Sequence, residues 1–378
     1  MPSARLRTAA TVAAVAAALA LTGCGSSSDD AAGSGAKKIA VKVTDDGCQA
    51  SPATAEAGAL TFEVTNSDAK RVTEAEILKD GKILGEKENL TPGLSGSSFT
   101  LRLEPGEYVV LCPNAATDQS AFTVTEAKGA TAAATTDADL ASSVATYKAY
   151  LEDQTAQLTA QTGKFVAAVK AGDVAQAKAL FAPTRAYYER IEPVAESFGD
   201  LDPQIDARVN DVDPGDQWTG FHKLEKALWA DGTLDGMDPV ADKLLTDVKD
   251  LQTKVRTVEL APEQIANGAV GLLDEVAKSK ITGEEDRYSH TDLWDFAANV
   301  AGAREAVDVL APTLRTKDAA LLATINGQFK DVLASLSKYQ TADGYQDYSA
   351  VTDDQRRTMT TQVNALAESL SKIAPLIA

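Results

Sequence analysis

The sequence predicts two domains, an all-β sandwich followed by an all-α helical bundle. Residues 39–126 hold short stretches in which apolar and polar residues alternate, and turn residues separate them. Residues 127–137 are rich in alanine and threonine and lack large apolar side chains, which is typical of a linker. From residue 138 to residue 378 the apolar residues recur at helical spacing. The change of period from two to 3.6 therefore marks the boundary between the domains.

About seven short strands are expected in the first domain. Residues 39–43, 60–64 and 99–103 alternate strictly, and residues 108–111 form a continuous apolar run. Pairs such as Pro-Gly and Asp-Gly lie between these stretches and favour turns. Strands at this spacing over roughly ninety residues are typical of a β-sandwich.

The second domain is expected to contain seven or eight helices. Its first helix begins with Leu140, Val144, Tyr147 and Leu151, which lie on one helical face. Breaks that contain glycine or proline separate the later segments, which indicates a bundle of several helices. These segments lie around residues 174–198, 218–230, 238–259, 262–279, 291–310, 317–339 and 352–374.

The N-terminus is predicted to be a targeting segment. Arg5 and Arg7 form a short basic region, and residues 8–21 are an apolar run of alanine, valine and leucine. The run is too short and too weakly hydrophobic for a membrane-spanning helix. Residues 1–23 are therefore interpreted as a signal peptide, which implies a location outside the cytoplasm.

The end of this segment resembles a bacterial lipobox, in which Cys24 becomes the lipidated first residue. Residues 24–38 are rich in Ser, Gly, Asp and Ala, as expected of a flexible tether. The prediction is a lipoprotein anchored to the cell membrane on its periplasmic or outer side. The alternative is an ordinary secretory peptide cleaved near Ala20.

The chain is strongly acidic. Its formal charge is −19, and because residues 1–23 carry two arginines and no acid, the remainder carries −21. Nucleic acid and anionic lipid headgroups are poor partners for such a surface, whereas cations are good ones.

The chain has only two histidines, His222 and His290. His222 and Glu225 are three residues apart, so a helix would project them from one face, where they can share one ion. A solvated surface pair is the alternative, because His-x-x-Glu also arises by chance.

Two further carboxylates, Glu189 and Glu192, are also three residues apart on the preceding predicted helix, and an acidic loop at residues 200–206 follows. Helical bundles build metal sites from inward-facing carboxylates and histidines. One imidazole among several carboxylates suits iron, manganese or calcium better than structural zinc. The alternative is a charged helix face paired with Arg185 and Arg190.

Four strings, at residues 188–193, 196–202, 220–225 and 287–296, resemble the imelysin-like family, and more closely its iron-uptake lipoproteins of the EfeO type. The resemblance covers both domains in order. It implies a cupredoxin-like sandwich before an imelysin-like bundle, and iron binding beside a membrane iron permease and a haem-containing peroxidase.

By position, the resemblance also implies metal ligands in the bundle. His290 and Asp292 belong to another matching string, and they could ligate a second ion, support the first site or cap a helix. The ligands carried over for the first site are Glu189, Glu192, Asp206, His222 and Glu225.

The sandwich cannot hold a blue-copper centre, because such a site needs two histidines, a cysteine and commonly a methionine. Residues 39–125 contain neither histidine nor methionine. The resemblance implies instead a site for copper or iron that could assist ferrous iron oxidation. The alternative is a disulfide between the two cysteines, which an extracytoplasmic location permits. The residues concerned are Cys48, Glu74, Glu107 and Cys112.

The function expected from these observations is iron binding and delivery to a permease, without catalysis. One alternative is metal-dependent binding of an acidic polysaccharide, or a scaffold role in the cell envelope. A metallopeptidase is disfavoured, since the sequence has no His-Glu-x-x-His motif.

Overall fold

The computed structural model describes residues 36–127, 138–199, 201–212 and 215–378. The predicted fold class is confirmed, since strands fill residues 37–125 and helices dominate from residue 138 onward. The signal peptide, Cys24, most of the tether and most of the linker lie outside the described residues, and these expectations stay predictions.

Two sheets face each other in the sandwich. One has the order β2-β1-β4-β7 and the other β3-β9-β8-β5-β6, with parallel pairing only for β1 with β4 and β3 with β9 among the described strands. Short strands such as β3 have too few residues to reveal an alternation, so this part of the chain has more strands than expected. The strands are β1 (Lys37–Thr44), β2 (Gly47–Ser51), β3 (Thr54–Glu56), β4 (Gly58–Asn66), β5 (Ala75–Lys79), β6 (Lys82–Lys87), β7 (Leu94–Leu103), β8 (Gly106–Leu111) and β9 (Gln119–Thr125).

The core of the sandwich is apolar. Phe62 of β4 stacks on Phe99 with ring centroids 5.3 Å apart and meets the edge of Phe122 at 5.5 Å. A disulfide joins Cys48 of β2 to Cys112, just after β8, with Cα atoms 6.1 Å apart. The disulfide therefore links the two sheets covalently.

The bundle contains longer helices packed around an extensive apolar core, together with short helical segments that carry charged residues. A π-helical turn (Ala227–Asp231) continues α5, and 3₁₀ turns occur at Lys280–Thr282, Ser337–Tyr339 and Tyr348–Ala350. A small hairpin, β10 (Gln340–Thr341) and β11 (Gly344–Tyr345), was not expected. The helices are α1 (Ala138–Lys170), α2 (Val174–Glu189), α3 (Glu192–Glu196), α4 (Leu201–Asp206), α5 (Phe221–Lys226), α6 (Asp238–Thr257), α7 (Pro262–Lys278), α8 (Asp292–Lys317), α9 (Ala319–Leu336), α10 (Asp353–Leu370) and α11 (Ile373–Ile377).

Across the described ranges, no helix combines the length and the apolar character that crossing a membrane requires.

The segment predicted as one helix around residues 174–198 is divided into α2 and α3. Pro193 lies in the first turn of α3, where its missing N–H costs no hydrogen bond, and it disfavours a helical conformation in the residue before it. The carbonyl of Arg190, in the break, packs against Gly302 of α8, where a Cβ would lie 2.3 Å from the oxygen. The side chains of Glu189 and Glu192 are buried on either side of this break, not on a solvated face.

Gly220 brings the start of α5 against the end of α4. Its φ is 85°, and a Cβ at this position would lie 2.2 Å from the carbonyl oxygen of Ile205, so only glycine fits. The acidic stretch expected to be a loop forms α4 up to Asp206. This close approach holds His222, in the first turn of α5, near Asp206.

The sandwich contacts the bundle through β6, β7 and α7. Several of these contacts are polar, and they bring the β5–β6 hairpin close to acidic residues of the bundle. They include the hydrogen bonds from Lys82 Nζ to the Glu259 carbonyl (2.8 Å), from Gln264 Nε2 to the Leu84 carbonyl (3.1 Å) and from Asn267 Nδ2 to the Thr100 carbonyl (2.9 Å), and the ion pair of Lys87 with Asp274.

Candidate metal centre

A fully buried arginine lies among the carboxylates at the centre of the bundle. Arg185 of α2 donates from Nη1 to Asp206 and from Nη2 to Glu189 and Glu285, the last at 2.9 Å. Its Nε lies 3.6 Å from Asp286 Oδ1. A buried charge is tolerated only when paired, and Arg185 supplies part of the positive charge that these carboxylates need.

A buried lysine is the second internal cation. The ammonium of Lys280 donates to Glu189 at 2.6 Å and to Glu192 at 2.7 Å, and lies 2.9 Å from Glu275. Lys280 is 2% exposed, which is rare for lysine. It therefore pairs with three carboxylates that solvent barely reaches.

His222 is 1% exposed, and it lies beside carboxylates that also pair with Arg185 and Lys280. Its Nδ1 is 3.0 Å from Glu225 Oε2. Its Nε2 lies 3.4 Å from Glu285 Oε1 and 3.8 Å from Asp206 Oδ2, and it has no hydrogen-bond partner among the described residues. Although burial and Arg185 lower the pKa of His222, Asp206 and Glu225 raise it well above its ordinary value.

Glu225 is held by the loop before α8. Its Oε1 accepts hydrogen bonds from the backbone N–H groups of Tyr288 (2.9 Å) and Ser289 (2.7 Å). Both oxygens of this buried carboxylate are thus engaged, Oε2 by the imidazole and Oε1 by the backbone.

Sequence reasoning missed four acidic residues of the centre, Glu285, Asp286, Asp295 and Glu275. They come from the loop before α8, from α8 itself and from the end of α7. The acidic triplet at residues 284–286, next to the matching string at 287–296, was the available signal. No spacing rule connects residue 285 with residue 222, because tertiary packing alone brings them together.

The described residues contain four groups of candidate metal ligands, and the ligand atoms within each group lie within 4.8 Å of one another. Three are in the bundle and contain all five residues expected there, and the fourth joins the sandwich to the bundle. The groups are Asp206, His222 and Glu285; His222, Glu225 and Asp286; Glu189, Glu192 and Asp206; and Glu88, Glu196 and Glu275.

The carboxylates differ in how readily they ionise. Burial raises the pKa of Asp206, but Arg185 and His222 outweigh burial and hold it below its usual value. Burial also raises the pKa of Glu285, yet Lys280 and Arg208 lower it well below its usual range. The two carboxylates nearest His222 Nε2 are therefore ionised at neutral pH.

Two other carboxylates of the centre, those of Glu189 and Glu275, hold their protons more tightly. Burial, followed by the charge of Glu192, raises the pKa of Glu189 to about 8. Burial raises the pKa of Glu275 to about 7, although Lys280 opposes it. A bound cation would favour the ionised form of these groups.

A cavity of about 490 Å³ lies between the sandwich and the bundle. Among the described residues that line it, nine are acidic and only two, Arg208 and Lys280, are basic. Burial raises the pKa of most of these acids, and a cation in the cavity would favour their ionised forms. The acidic residues are Glu74 and Glu88 from the sandwich and Glu192, Glu196, Asp202, Asp206, Asp211, Glu275 and Glu285 from the bundle.

The four residues expected to form a metal site in the sandwich do not come together. Cys48 and Cys112 form the disulfide, so their sulfurs are not thiolates. Glu107 is near the start of β8, where it accepts a hydrogen bond from Thr123 (2.9 Å), whereas Cys112 follows the end of that strand. Glu74 lines the cavity between the domains. The structure therefore contains the disulfide, which was the alternative to a metal site in the sandwich.

His290 and Asp292 occupy different environments. The side chain of His290 is exposed, and its backbone adopts a left-handed conformation with φ of 57°. Asp292 is fully buried in the first turn of α8, and burial and Asp286 raise its pKa to about 8. Asp292 therefore adjoins the acidic group, whereas the exposed His290 side chain is absent from the four ligand groups found among the described residues.

Comparison with known proteins gives the family. Residues 143–373 match the model of the imelysin family, which also bears the name of peptidase family M75. The chain belongs to the imelysin family. Ahead of the imelysin domain, residues 11–124 match the model of a cupredoxin-like domain. The resemblance inferred from the four strings is thus confirmed.

Imelysin relatives of similar length have a named role. The chain is 45% identical over 343 residues to the iron uptake system component EfeO of Escherichia coli K12 and to that of Shigella flexneri, covering 89% of this chain and 90% of each relative. A crystal structure described as an iron-regulated protein A precursor from Parabacteroides distasonis has a TM-score of 0.50 at 15% identity, over 66% of this chain and 97% of that one. That likeness concerns the fold alone.

Proposed function

We propose that this protein is the extracytoplasmic iron-binding component of an iron uptake system. It binds iron through His222 and the surrounding carboxylates of the bundle and delivers it to a membrane permease. The observation that carries the proposal is the Nε2 atom of His222, buried among acidic side chains and without a hydrogen-bond partner in the described residues. The name of the EfeO relatives supports iron as the cargo.

The electrostatics of the bundle favour a cation. Carboxylates this close repel one another unless protons or positive charges compensate. Arg185 and Lys280 compensate part of this charge through their ion pairs with the carboxylates. The remaining donor set of one imidazole and several carboxylate oxygens suits iron.

Catalysis is not part of the proposal. A peptidase of the His-x-x-Glu type would need Glu225 as a base that activates water. Glu225 is buried, and its oxygens accept hydrogen bonds from His222 and from two backbone N–H groups. This engagement argues against a role as general base.

The proposal includes a lipid anchor on Cys24 and, as partners, the permease and a haem-containing peroxidase of the same uptake system. Replacement of the anchor residue by Cys24→Ala is expected to release the protein from the membrane fraction or leave it unprocessed. Unchanged association of the variant with membranes would show that Cys24 is not the attachment point.

Iron binding is tested by comparing the only two histidines of the chain. A ligand that binds only the folded state at 100 times its Kd raises stability by about 2.7 kcal/mol, which corresponds to a rise in Tm of about 5–10 °C. We expect Fe(II), added without oxygen, or Fe(III) to produce such a rise in the wild-type protein. His222→Asn should lose it.

His290→Asn is the matched control, because asparagine tolerates the left-handed backbone at that position. This variant should keep the full shift. The proposal fails if neither form of iron shifts the wild-type Tm, and the ligand assignment fails if His222→Asn binds iron as tightly as wild type.

A further inference from the structure

Glu285 accepts hydrogen bonds from two arginines, one on each of its oxygens. Oε1 accepts from Arg185 Nη2 at 2.9 Å, and it also lies 3.4 Å from His222 Nε2. Oε2 accepts from Arg208 Nη1 at 3.0 Å. The side chain of Glu285 is 2% exposed, whereas that of Arg208 is 30% exposed. Arg208 therefore reaches this buried carboxylate from the solvent side, and Arg185 reaches it from the interior of the bundle.

Arg208 differs from the other basic groups near Glu285 in having a second partner at the surface. Arg185 and Lys280 are buried, and each pairs with at least three carboxylates. Moving either one would leave buried charges unpaired, which is costly. Arg208 also donates from Nε to Asp211 at 2.8 Å, and the side chain of Asp211 is 43% exposed. A guanidinium that leaves Glu285 would therefore stay paired and become hydrated.

The backbone around Arg208 is held in place by its neighbours. Arg208 follows α4 in the irregular segment before α5. The carbonyl of the preceding residue accepts a hydrogen bond from Trp218 Nε1 at 2.7 Å, and Asn210 Oδ1 accepts one from Arg287 at 3.2 Å. A turn, closed by the N–H of Asp211 and the carbonyl of Arg208 at 2.9 Å, keeps the two side chains together. Rotation about the side-chain bonds of Arg208 is therefore sufficient to separate it from Glu285.

A cation in the cavity between the domains would compete with this guanidinium. Arg208 and Glu285 both line the cavity. While Arg208 pairs with Oε2, the charge of Glu285 is compensated from both sides, and the nearby positive charge repels an arriving cation. If Arg208 moves to Asp211, a positive charge leaves the buried centre and Oε2 becomes accessible from the cavity.

We infer that Arg208 is a displaceable counter-ion. It pairs with Glu285 when no metal cation is bound, moves to Asp211 when a cation occupies the buried centre, and returns to Glu285 as the cation leaves. This inference rests on the proposed function. It explains how a protein that delivers its cargo can release a cation from a site rich in carboxylates, because the returning guanidinium replaces part of the charge that the cation takes away.

Arg208→Gln tests the competition. Fe(II) affinity is measured by calorimetry without oxygen, and the dissociation rate is measured from the capture of Fe(II) by an excess of a chromogenic chelator. The variant should bind Fe(II) about tenfold more tightly or better, and most of this change should be a slower dissociation. Arg287→Gln is the matched control, because Arg287 is 28% exposed and pairs with Glu284 in the neighbouring loop. Its affinity and dissociation rate should stay within about twofold of wild type.

Asp211→Asn removes the partner that receives the released guanidinium. In the wild-type background it should lower Fe(II) affinity by about threefold to tenfold, and in the Arg208→Gln background by less than about twofold. An equal loss in both backgrounds would show that Asp211 acts only through its own charge, and it would overturn the inference.

A crystal structure of the wild-type protein with Zn(II) at the buried centre gives a test without any variant. We expect Arg208 Nη1 to lie beyond hydrogen-bond distance of Glu285 in that structure. An intact hydrogen bond between them would overturn the inference.

The outcomes separate this inference from the proposed function. If wild type binds iron but Arg208→Gln neither raises the affinity nor slows dissociation, the inference is wrong and the proposed function stands. If wild type binds neither Zn(II) nor iron, both are wrong.

Discussion

The sandwich and the bundle place their charges differently. The interior of the sandwich is apolar, centred on Phe62, and a disulfide links its sheets. The interior of the bundle holds Arg185, Lys280 and His222 among several carboxylates. Apolar packing and a covalent link stabilise a fold directly, whereas buried ion pairs contribute little net stability. The difference is consistent with the proposal that the charged residues of the bundle bind the ion, while the sandwich forms one wall of the cavity.

The largest loss of stability is expected from Arg185→Met, since removing one member of a buried charge network lowers the free energy of unfolding by about 3–5 kcal/mol. All three tryptophans, at positions 218, 229 and 294, are in the bundle, so their fluorescence during urea denaturation reports this domain.

Arg304→Met is the control, because Arg304 pairs with Asp308 near the surface of α8 and should lose less than about 1 kcal/mol. Equal stability of Arg185→Met and wild type would mean that the buried network does not depend on this cation.

Removal of the disulfide comes next. Cys48→Ala with Cys112→Ala opens a loop of 64 residues, and the sandwich should lose about 4 kcal/mol. Circular dichroism should report the earlier unfolding of the strands, while the tryptophan transition and the iron affinity stay near wild type. A tenfold loss of iron affinity in a variant whose bundle is still folded would indicate that the cysteines take part in metal binding.

The smallest change in stability is expected at Glu76, a residue of β5 that is 5% exposed. Burial, followed by the charge of Glu74, raises its pKa to about 8. The folded state therefore holds this proton more tightly than the unfolded state, and the resulting stability is present below about pH 4.5 and lost as pH rises through 8.

Glu76→Gln cannot ionise, so it should stabilise the sandwich by about 1–3 kcal/mol at pH 9 and change little at pH 5. The exposed Glu104→Gln is the control and should have no such pH dependence. A stability difference between Glu76→Gln and wild type that is the same at both pH values would contradict the assignment.

Sequence periodicity was sufficient for the fold class, because both domains bury a regular apolar pattern. It was insufficient for the centre of the bundle. Local spacing located His222 with Glu225 and Glu189 with Glu192, but Glu285 approaches His222 only through tertiary packing. Lys280 gave no signal, because a lysine in a short turn is expected to be solvated. For the cysteines, chemistry left two alternatives, and the 6.1 Å Cα separation agrees with the disulfide.

The close contact at Gly220 has a consequence for recognising related proteins in genomes. Many unrelated helices carry His and Glu three residues apart, so that pair is a permissive search pattern. A glycine two positions before the histidine is far more selective, because any side chain there would collide with the Ile205 carbonyl. Homologues that keep the pair but replace this glycine are expected to hold the imidazole away from Asp206, and they belong in a separate functional class until their cargo is measured.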